Sequence, residues 1–302
     1  MEKILLFGAS GFLGSHLKKS LTHNIVPINI RKENWQKSLS DNTSVYINCI
    51  GKAHDHSGIA TEKDFYQANF EAVKLLFNEF INSKAFLFIH ISSIAVVEEN
   101  ERAEIINEQS ECFPVSYYGK SKKAAEDYLL AQDIPDGKKL IILRPVMIHG
   151  DGDKGNLKLL YKIISKRIPY PLGSFNNLRS FISIDNVSYL LNEIINKWEN
   201  IDSGVYNISD DIPVSTKKII EVIAQTQKRK AIILCLPIVF INFFARTGDL
   251  LKLPFNTKRL KKMTSNLIVS NEKIKQSLGI KELPLSASEG LVKTIKNFNN
   301  VS

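Results

Sequence analysis

The apolar run Lys3-Ile4-Leu5-Leu6-Phe7 leads straight into Gly8-Ala9-Ser10-Gly11-Phe12-Leu13-Gly14, and helical spacing follows from residue 12 to residue 21. This succession restricts the fold more than any other stretch of the chain. A short continuous apolar run predicts a strand buried on both faces. The glycines predict a tight strand-to-helix turn that faces phosphate. Gly8 permits the turn, Gly11 lets the backbone approach a pyrophosphate, and Gly14 lets the helix pack on the strand. Ser10, Phe12 and Leu13 complete the turn, where free N–H groups at the helix start attract anions. The glycine spacing differs from the G-x-G-x-x-G of many dehydrogenases.

Further apolar runs follow at residues 25–30 (IVPINI), 45–50 (VYINCI), 86–91 (FLFIHI) and 140–143. Pro27 marks the second as an edge or a distorted strand. Helical periodicity fills residues 62–80, through Phe65, Ala68, Ala72, Leu75, Leu76 and Phe80, and again residues 117–131. Strands alternating with helices predict an α/β fold, a Rossmann-like doubly wound parallel sheet with right-handed crossovers. The rhythm breaks at the polar residues 151–156. Helices are expected over 157–167 and 185–198, a strand over 205–208, and mostly helix beyond. The expected division is a dinucleotide-binding domain of residues 1–153 and about 180–208. A smaller, mostly helical C-terminal substrate domain takes about 154–179 and 209–302.

At 302 residues with 44% hydrophobic and 24% charged side chains, long disorder is not expected. The net charge of +9 either favours anionic partners or reflects a generally Lys-rich proteome. Cys49, Cys112 and Cys235 are odd in number and widely spaced, which suits a reducing cytoplasm. No signal peptide is read at the N-terminus. Residues 231–245 (AIILCLPIVFINFFA) are almost wholly apolar, yet shorter than the about 20 residues a span needs, and Pro237 interrupts them. A buried strand followed by a helix is expected there, without stable membrane insertion. Lys252, Lys258, Arg259, Lys261 and Lys262 leave a membrane-surface contact open. Nucleic-acid binding is not expected, because basic and aromatic residues are not interleaved on any element.

The chemistry is carried by Ser92-Ser93 at the end of an apolar strand and by Tyr118 and Lys122, one helical turn apart. An ammonium held there favours phenolate and is expected to lower the Tyr118 pKa. After the second strand, NAD-binding proteins place an acid on the adenosine ribose. Here Arg31-Lys32 stand at that point and suit a 2′-phosphate, which favours NADP(H), with NAD(H) possible because Glu33 follows. His54, Asp55 and His56 are too closely spaced to share a metal, so no metal site is expected; substrate contact is the alternative. His90 reads as a core histidine, and His149 as either structural or bordering the substrate.

Taken together, these residues resemble the extended short-chain dehydrogenase/reductases. More narrowly, the chain is similar to the NAD-dependent epimerase/dehydratase family acting on nucleotide sugars. The resemblance covers nearly the whole chain. It rests on Gly8 to Gly14, Ser92-Ser93, Tyr118 to Lys122, Leu143-Arg144-Pro145, His149-Gly150, Lys154-Gly155-Asn156 and residues 177–186 (NLRSFISIDN). Lys154-Gly155-Asn156, residues 168–173 (IPYPLG) and Arg179-Ser180-Phe181 are similar to a bacterial branch of surface-polysaccharide synthesis. That branch is associated with UDP-N-acetyl-hexosamine 4-epimerases and 4-keto-6-deoxy-sugar reductases.

The resemblance implies that Ser93 hydrogen-bonds the substrate oxygen, Tyr118 is the acid/base, and Lys122 contacts the nicotinamide ribose. It places Gly51 and Asn69 near the cofactor and gives Asn156 and Arg179 to the diphosphate of a UDP-sugar. It also implies a homodimer through the helix bearing Tyr118. Val96-Val97-Glu98 departs from the family's Val-Tyr-Gly. Ile94-Ala95 replaces the acids of a dehydratase, which argues against that reaction. A 4-keto reductase using NADPH on a UDP-4-keto-6-deoxy-N-acetylhexosamine is favoured by Arg31-Lys32. A 4-epimerase with tightly held NAD is the alternative, and a non-catalytic NADP-binding sensor a distant third.

Overall fold

The structure, a computed structural model, describes residues 3–39, 42–53, 59–97, 105–153, 155–253 and 255–299. Strand β1 (Lys3–Phe7) feeds helix α1 (Phe12–Ser20), and β2 (Asn24–Ile28) and β3 (Thr43–Asn48) follow. Helices α2 (Glu62–Tyr66) and α3 (Ala72–Ile81) are joined by a π-helical turn, Gln67–Glu71, where one continuous α-helix was expected. Next come β4 (Leu87–Ile91), α4 (Tyr117–Leu130), β5 (Lys139–Pro145) and β6 (Met147–His149). Then come α5 (Asn156–Ser165), β7 (Leu178–Arg179), β8 (Phe181–Ser183), α6 (Ile184–Asn196) and β9 (Gly204–Ile208). The chain ends with β10 (Val214–Ser215), α7 (Thr216–Thr226), α8 (Ile238–Leu250), α9 (Thr257–Thr264), α10 (Glu272–Leu278) and α11 (Ala287–Asn299).

Six strands form one sheet in the order β2-β1-β3-β4-β5-β9, every neighbouring pair parallel. This is the expected Rossmann-like doubly wound arrangement, and Pro27 lies on the edge strand, where a missing N–H is tolerated. Alternate side chains serve opposite faces. Ile4 and Leu6 join one buried cluster with Leu17 and Leu190, while Leu5 and Phe7 join another with Phe77 and Leu129. A third cluster, built by α5, α7, α8, α9 and α11, packs Leu157, Ile220, Ile241, Leu260 and Leu291. Serine caps start four of the described helices: Ser116, Ser183, Ser215 and Ser286 accept from the N–H groups of Gly119, Asn186, Lys218 and Glu289.

Residues 231–245 correct the sequence expectation. Residues 231–237 form no strand; Ile233 and Cys235 make only isolated pairs with Tyr170 and Leu172. Nor is the segment buried, since Ile232, Leu234, Leu236 and most of α8 lie exposed. The physical reason is steric. A Cβ on Gly248 would stand 1.8 Å from the Phe255 carbonyl oxygen, so α8 approaches closely along Ile241, Ala245 and Gly248 and turns its other large side chains outward.

Candidate active site

Ser93 and Tyr118 meet beyond the carboxyl end of β4. Ser93 starts a short 3-10 turn, Ile94–Val96, and its Oγ accepts from the Ala95 N–H at 3.2 Å. Tyr118 comes from the first turn of α4, and its phenol stands near enough to Ser93 for that hydroxyl to favour the ionised form. Gly119 makes the approach possible, because a Cβ there would stand 2.5 Å from the Ala95 carbonyl oxygen. Tyr117 instead points to the exposed side and packs against Phe65. Ser92, the other candidate serine, is committed elsewhere. It donates to Glu126, whose carboxylate also takes the Arg144 Nη2–H at 2.6 Å in a buried ion pair.

Lys122 lies one turn on from Tyr118 and is only 3% exposed. Its ammonium donates to the Ile91 carbonyl at 2.7 Å and, more weakly, to the Ile50 carbonyl at 3.5 Å. Burial pulls the lysine down to about 8, with Cys49 and Glu126 pulling the other way. The same burial raises the Tyr118 phenol, with the Ser93 hydrogen bond acting against the rise. The expectation that Lys122 would leave this phenol below its ordinary value is therefore corrected: desolvation outweighs the effect of Ser93, and the Lys122 N–H groups are turned to carbonyls. His90 is fully buried and held neutral by burial and by Lys122, as a core histidine should be. Burial pushes the Cys49 thiol up to about 12, against the opposing pull of Lys122.

The surrounding backbone fits a dinucleotide. Gly8 has φ +82°, a value that favours glycine, and a Cβ on Gly14 would stand 2.2 Å from the Gly8 carbonyl oxygen. No side chain caps α1 at Gly11, so the first-turn N–H groups face outward. Ser10 and Gly11 are exposed, Phe12 is half-buried and Leu13 is core. Gly51 lies against Lys122 and Asn69, where a Cβ would meet Lys122 Nζ at 3.2 Å. Arg31 and Lys32 are exposed just beyond β2, the neighbour of β1. Arg179 on β7 donates to the Lys262 carbonyl at 3.2 Å. Asn156 opens α5, and its side chain lies outside the description, as do His54, Asp55, His56, Glu98 and Lys154. Among the described residues no cluster of three metal-ligating side chains occurs. His149 is fully buried, bonded through Nδ1 to Thr294 at 2.9 Å and 3.9 Å from Asp210.

The model of the NAD dependent epimerase/dehydratase family matches residues 4–209. The chain belongs to that family. It is 29% identical to a UDP-glucose 4-epimerase of Vibrio cholerae, over 98% of this chain and 95% of that one. It is 23% identical to the N-acetyl-alpha-D-glucosaminyl-diphospho-ditrans,octacis-undecaprenol 4-epimerase of Escherichia coli O157:H7, with the same two coverages, 98% and 95%. The fold is that of the UDP-glucuronic acid 4-epimerase of Bacillus cereus solved with NAD, at a TM-score of 0.77, 19% identity and 99% coverage of both chains.

In this family member the structure shows how Asn69 is held and adds Ser121, which sequence reasoning passed over. Asn69 sits fully buried in the π-helical turn and clasps Lys52, accepting its N–H at 2.7 Å and donating to its carbonyl at 3.1 Å. Its amide also donates to Ser121 at 2.9 Å. Ser121 thereby ties the loop after β3 to α4, between Tyr118 and Lys122. The widened turn has no sequence signature, so only the apolar spacing of α2 and α3 was readable.

Proposed function

We propose that this chain is a nicotinamide-dependent enzyme that interconverts alcohol and ketone at C4 of a hexose carried on a diphosphate. One observation carries the reading: the Ser93 hydroxyl stands beside the Tyr118 phenol and favours its ionisation, with the Lys122 ammonium buried one turn behind. A bound nicotinamide supplies or accepts the hydride at C4. Ser93 donates to the C4 oxygen and orients it. Tyr118 gives that oxygen a proton during reduction and removes one during oxidation. Lys122 offsets the charge left on the phenolate and holds the nicotinamide ribose. Removing the proton from this half-buried, desolvated phenol is costly, and an oxidised nicotinamide, when bound, would offset part of that cost with its positive charge. Gly8, Ser10, Gly11, Phe12, Leu13, Gly14, Gly51 and Asn69 hold the dinucleotide. Asn156 and Arg179 hold the substrate diphosphate, and residues about 154–179 and 209–302 shape the sugar pocket.

Epimerisation is the first reading, supported by the two full-length relatives named as 4-epimerases. The second is a 4-keto reductase using NADPH, favoured by exposed Arg31 and Lys32 where an acid would hold the ribose. The purified protein, heat-denatured and chromatographed, distinguishes them. An epimerase keeps its cofactor through the cycle and releases NAD on denaturation. A reductase arrives empty and oxidises added NADPH only with a 4-keto sugar. A panel of UDP-sugars, with product epimers resolved by NMR, completes the assignment. No dinucleotide binding and no turnover in either assay would sink both. The working state we propose is a cytoplasmic homodimer packed through α3 and α4, where Leu75 and Leu130 are exposed. Light scattering reads that mass directly.

A further inference from the structure

Helix α8 turns its bulk away from the protein. Ile241, Ala245 and Gly248 seat it, whereas Val239, Phe240, Phe243, Phe244, Leu250 and the capping Leu251 are 60% to 82% exposed. At 3.6 residues per turn these large side chains share one side, away from the seated stripe. The extended residues before the helix continue the strip, with Ile232, Leu234 and Leu236 alternating outward. Contiguous exposed apolar surface of this kind marks a binding face.

Charge says what the face binds. Residues 228–262 carry nine Lys or Arg and one acid, Asp249, a surplus of eight against the +9 of the whole chain. All nine cations are exposed. A cleft of about 280 Å³ adjoins the strip, with Arg167, Arg229 and Lys230 beside Ile164, Ile168 and Ile232. None of Ser93, Tyr118 and Lys122 lines it. Apolar surface rimmed by cations matches a layer whose phosphates lie over hydrocarbon. A second copy of this chain is the poorer occupant, because it would set eight surplus charges against eight more.

We propose that α8 and its basic surroundings dock the protein on an anionic lipid bilayer. The helix lies in the interface, with Phe240, Phe243 and Phe244 in the acyl boundary and Lys258, Arg259 and Lys262 near the phosphates. It does not cross: its thirteen residues reach about 20 Å, against about 30 Å of hydrocarbon. Among the described residues no helix is long and apolar enough to span. The docking rests on this surface alone and is independent of the chemistry at C4.

Vesicle flotation of the full chain tests it. Vesicles of equal parts phosphatidylcholine and phosphatidylglycerol should carry the protein up the gradient, and phosphatidylcholine alone should not. The triple variant Phe240→Ser, Phe243→Ser, Phe244→Ser should lose at least about tenfold in partitioning, because three apolar rings no longer enter the boundary. Lys258→Gln and Lys262→Gln should each lose about fivefold and flatten the salt dependence. Circular dichroism and thermal unfolding must show all three variants folded as the parent is. A parent that ignores anionic vesicles overturns the proposal, as does a folded triple variant that binds them equally. A parent that dimerises through this face, is dispersed by the triple variant and stays off vesicles assigns the face to a second copy and overturns it too.

Discussion

Around Lys122 the protein buries a single ammonium and surrounds it with directed partners; along α8 and α9 it leaves many cations and large apolar side chains at the surface. The same residue types are treated in opposite ways. In the sheet region each buried polar group that serves the site is held: Asn69 by Lys52 and Ser121, Ser92 by Glu126, and Glu126 by Arg144. In the outer region the seated face of α8 is limited to Ile241, Ala245 and Gly248. The difference separates two needs. A reacting hydroxyl must be fixed in place by what packs behind it, whereas a docking face must stay available. Substitutions should therefore act through chemistry and folding in the first region and through binding in the second.

The largest effect should come from Tyr118→Phe. Losing the proton donor should lower kcat by about 10² to 10⁴-fold, with the fold retained and the dinucleotide still bound. Stopped-flow or product assays on the identified sugar measure it. A variant within a few-fold of the parent would remove Tyr118 from the proton step. Arg144→Met comes next. It strips the partner from a buried carboxylate and should destabilise by about 3–5 kcal/mol in urea or thermal unfolding. A loss below about 1 kcal/mol would mean that Ser92 alone satisfies Glu126.

The sheet half was legible because its signals are local. Alternation buries both faces of a parallel sheet, so KILLF and FLFIHI read as strands without any knowledge of the partner. The glycine turn declares itself through backbone needs that few other residues meet. Tyr118 and Lys122 were marked by spacing and Ser93 by the family resemblance, and the structure sets Ser93 beside Tyr118. What spacing could not reveal is direction. Lys122 turns its N–H groups to Ile91 and Ile50, and burial then decides the sign of the Tyr118 shift. Nor could hydropathy show that residues 231–245 face outward. Part of that outcome rests on Gly248 meeting the backbone at Phe255, where the chain turns from α8 into α9, a contact hydropathy does not register.

Lys122 also gives a pH test of the comparison, since only a buried cation couples to stability this strongly. Its folded value is about 8 against an ordinary 10.5. Below pH 8 both states are protonated, and burying the ammonium costs up to about 3 kcal/mol. As pH rises above 8 the folded chain releases the proton first, so the unfolded state binds more protons and stability climbs. Cys49 works against this above pH 9, because the unfolded thiol ionises before one held at about 12. The gain is therefore steepest between 8 and 9 and flattens above. Denaturation midpoints of the parent and Lys122→Met, compared across that window, should diverge by about 1 kcal/mol per pH unit. Parallel curves would show that the ammonium is better solvated than its burial indicates.

The smallest effect is the most discriminating. Phe244→Ser removes a ring that is 60% exposed, so little apolar area returns to water on unfolding that was not already there. Stability should change by no more than about 0.5 kcal/mol. Phe88→Ala, in the wall between β3 and α3, should lose about 3–5 kcal/mol, because it opens a cavity among Tyr46, Phe77 and Phe80. Turnover on a soluble substrate should be unmoved by Phe244→Ser. The two unfolding curves, recorded side by side, decide whether α8 contributes to the fold or only to what the fold presents. A Phe244→Ser loss approaching that of Phe88→Ala would mean that the ring packs in solution against surface it does not touch here, and the contrast between the two regions would fail at its simplest point.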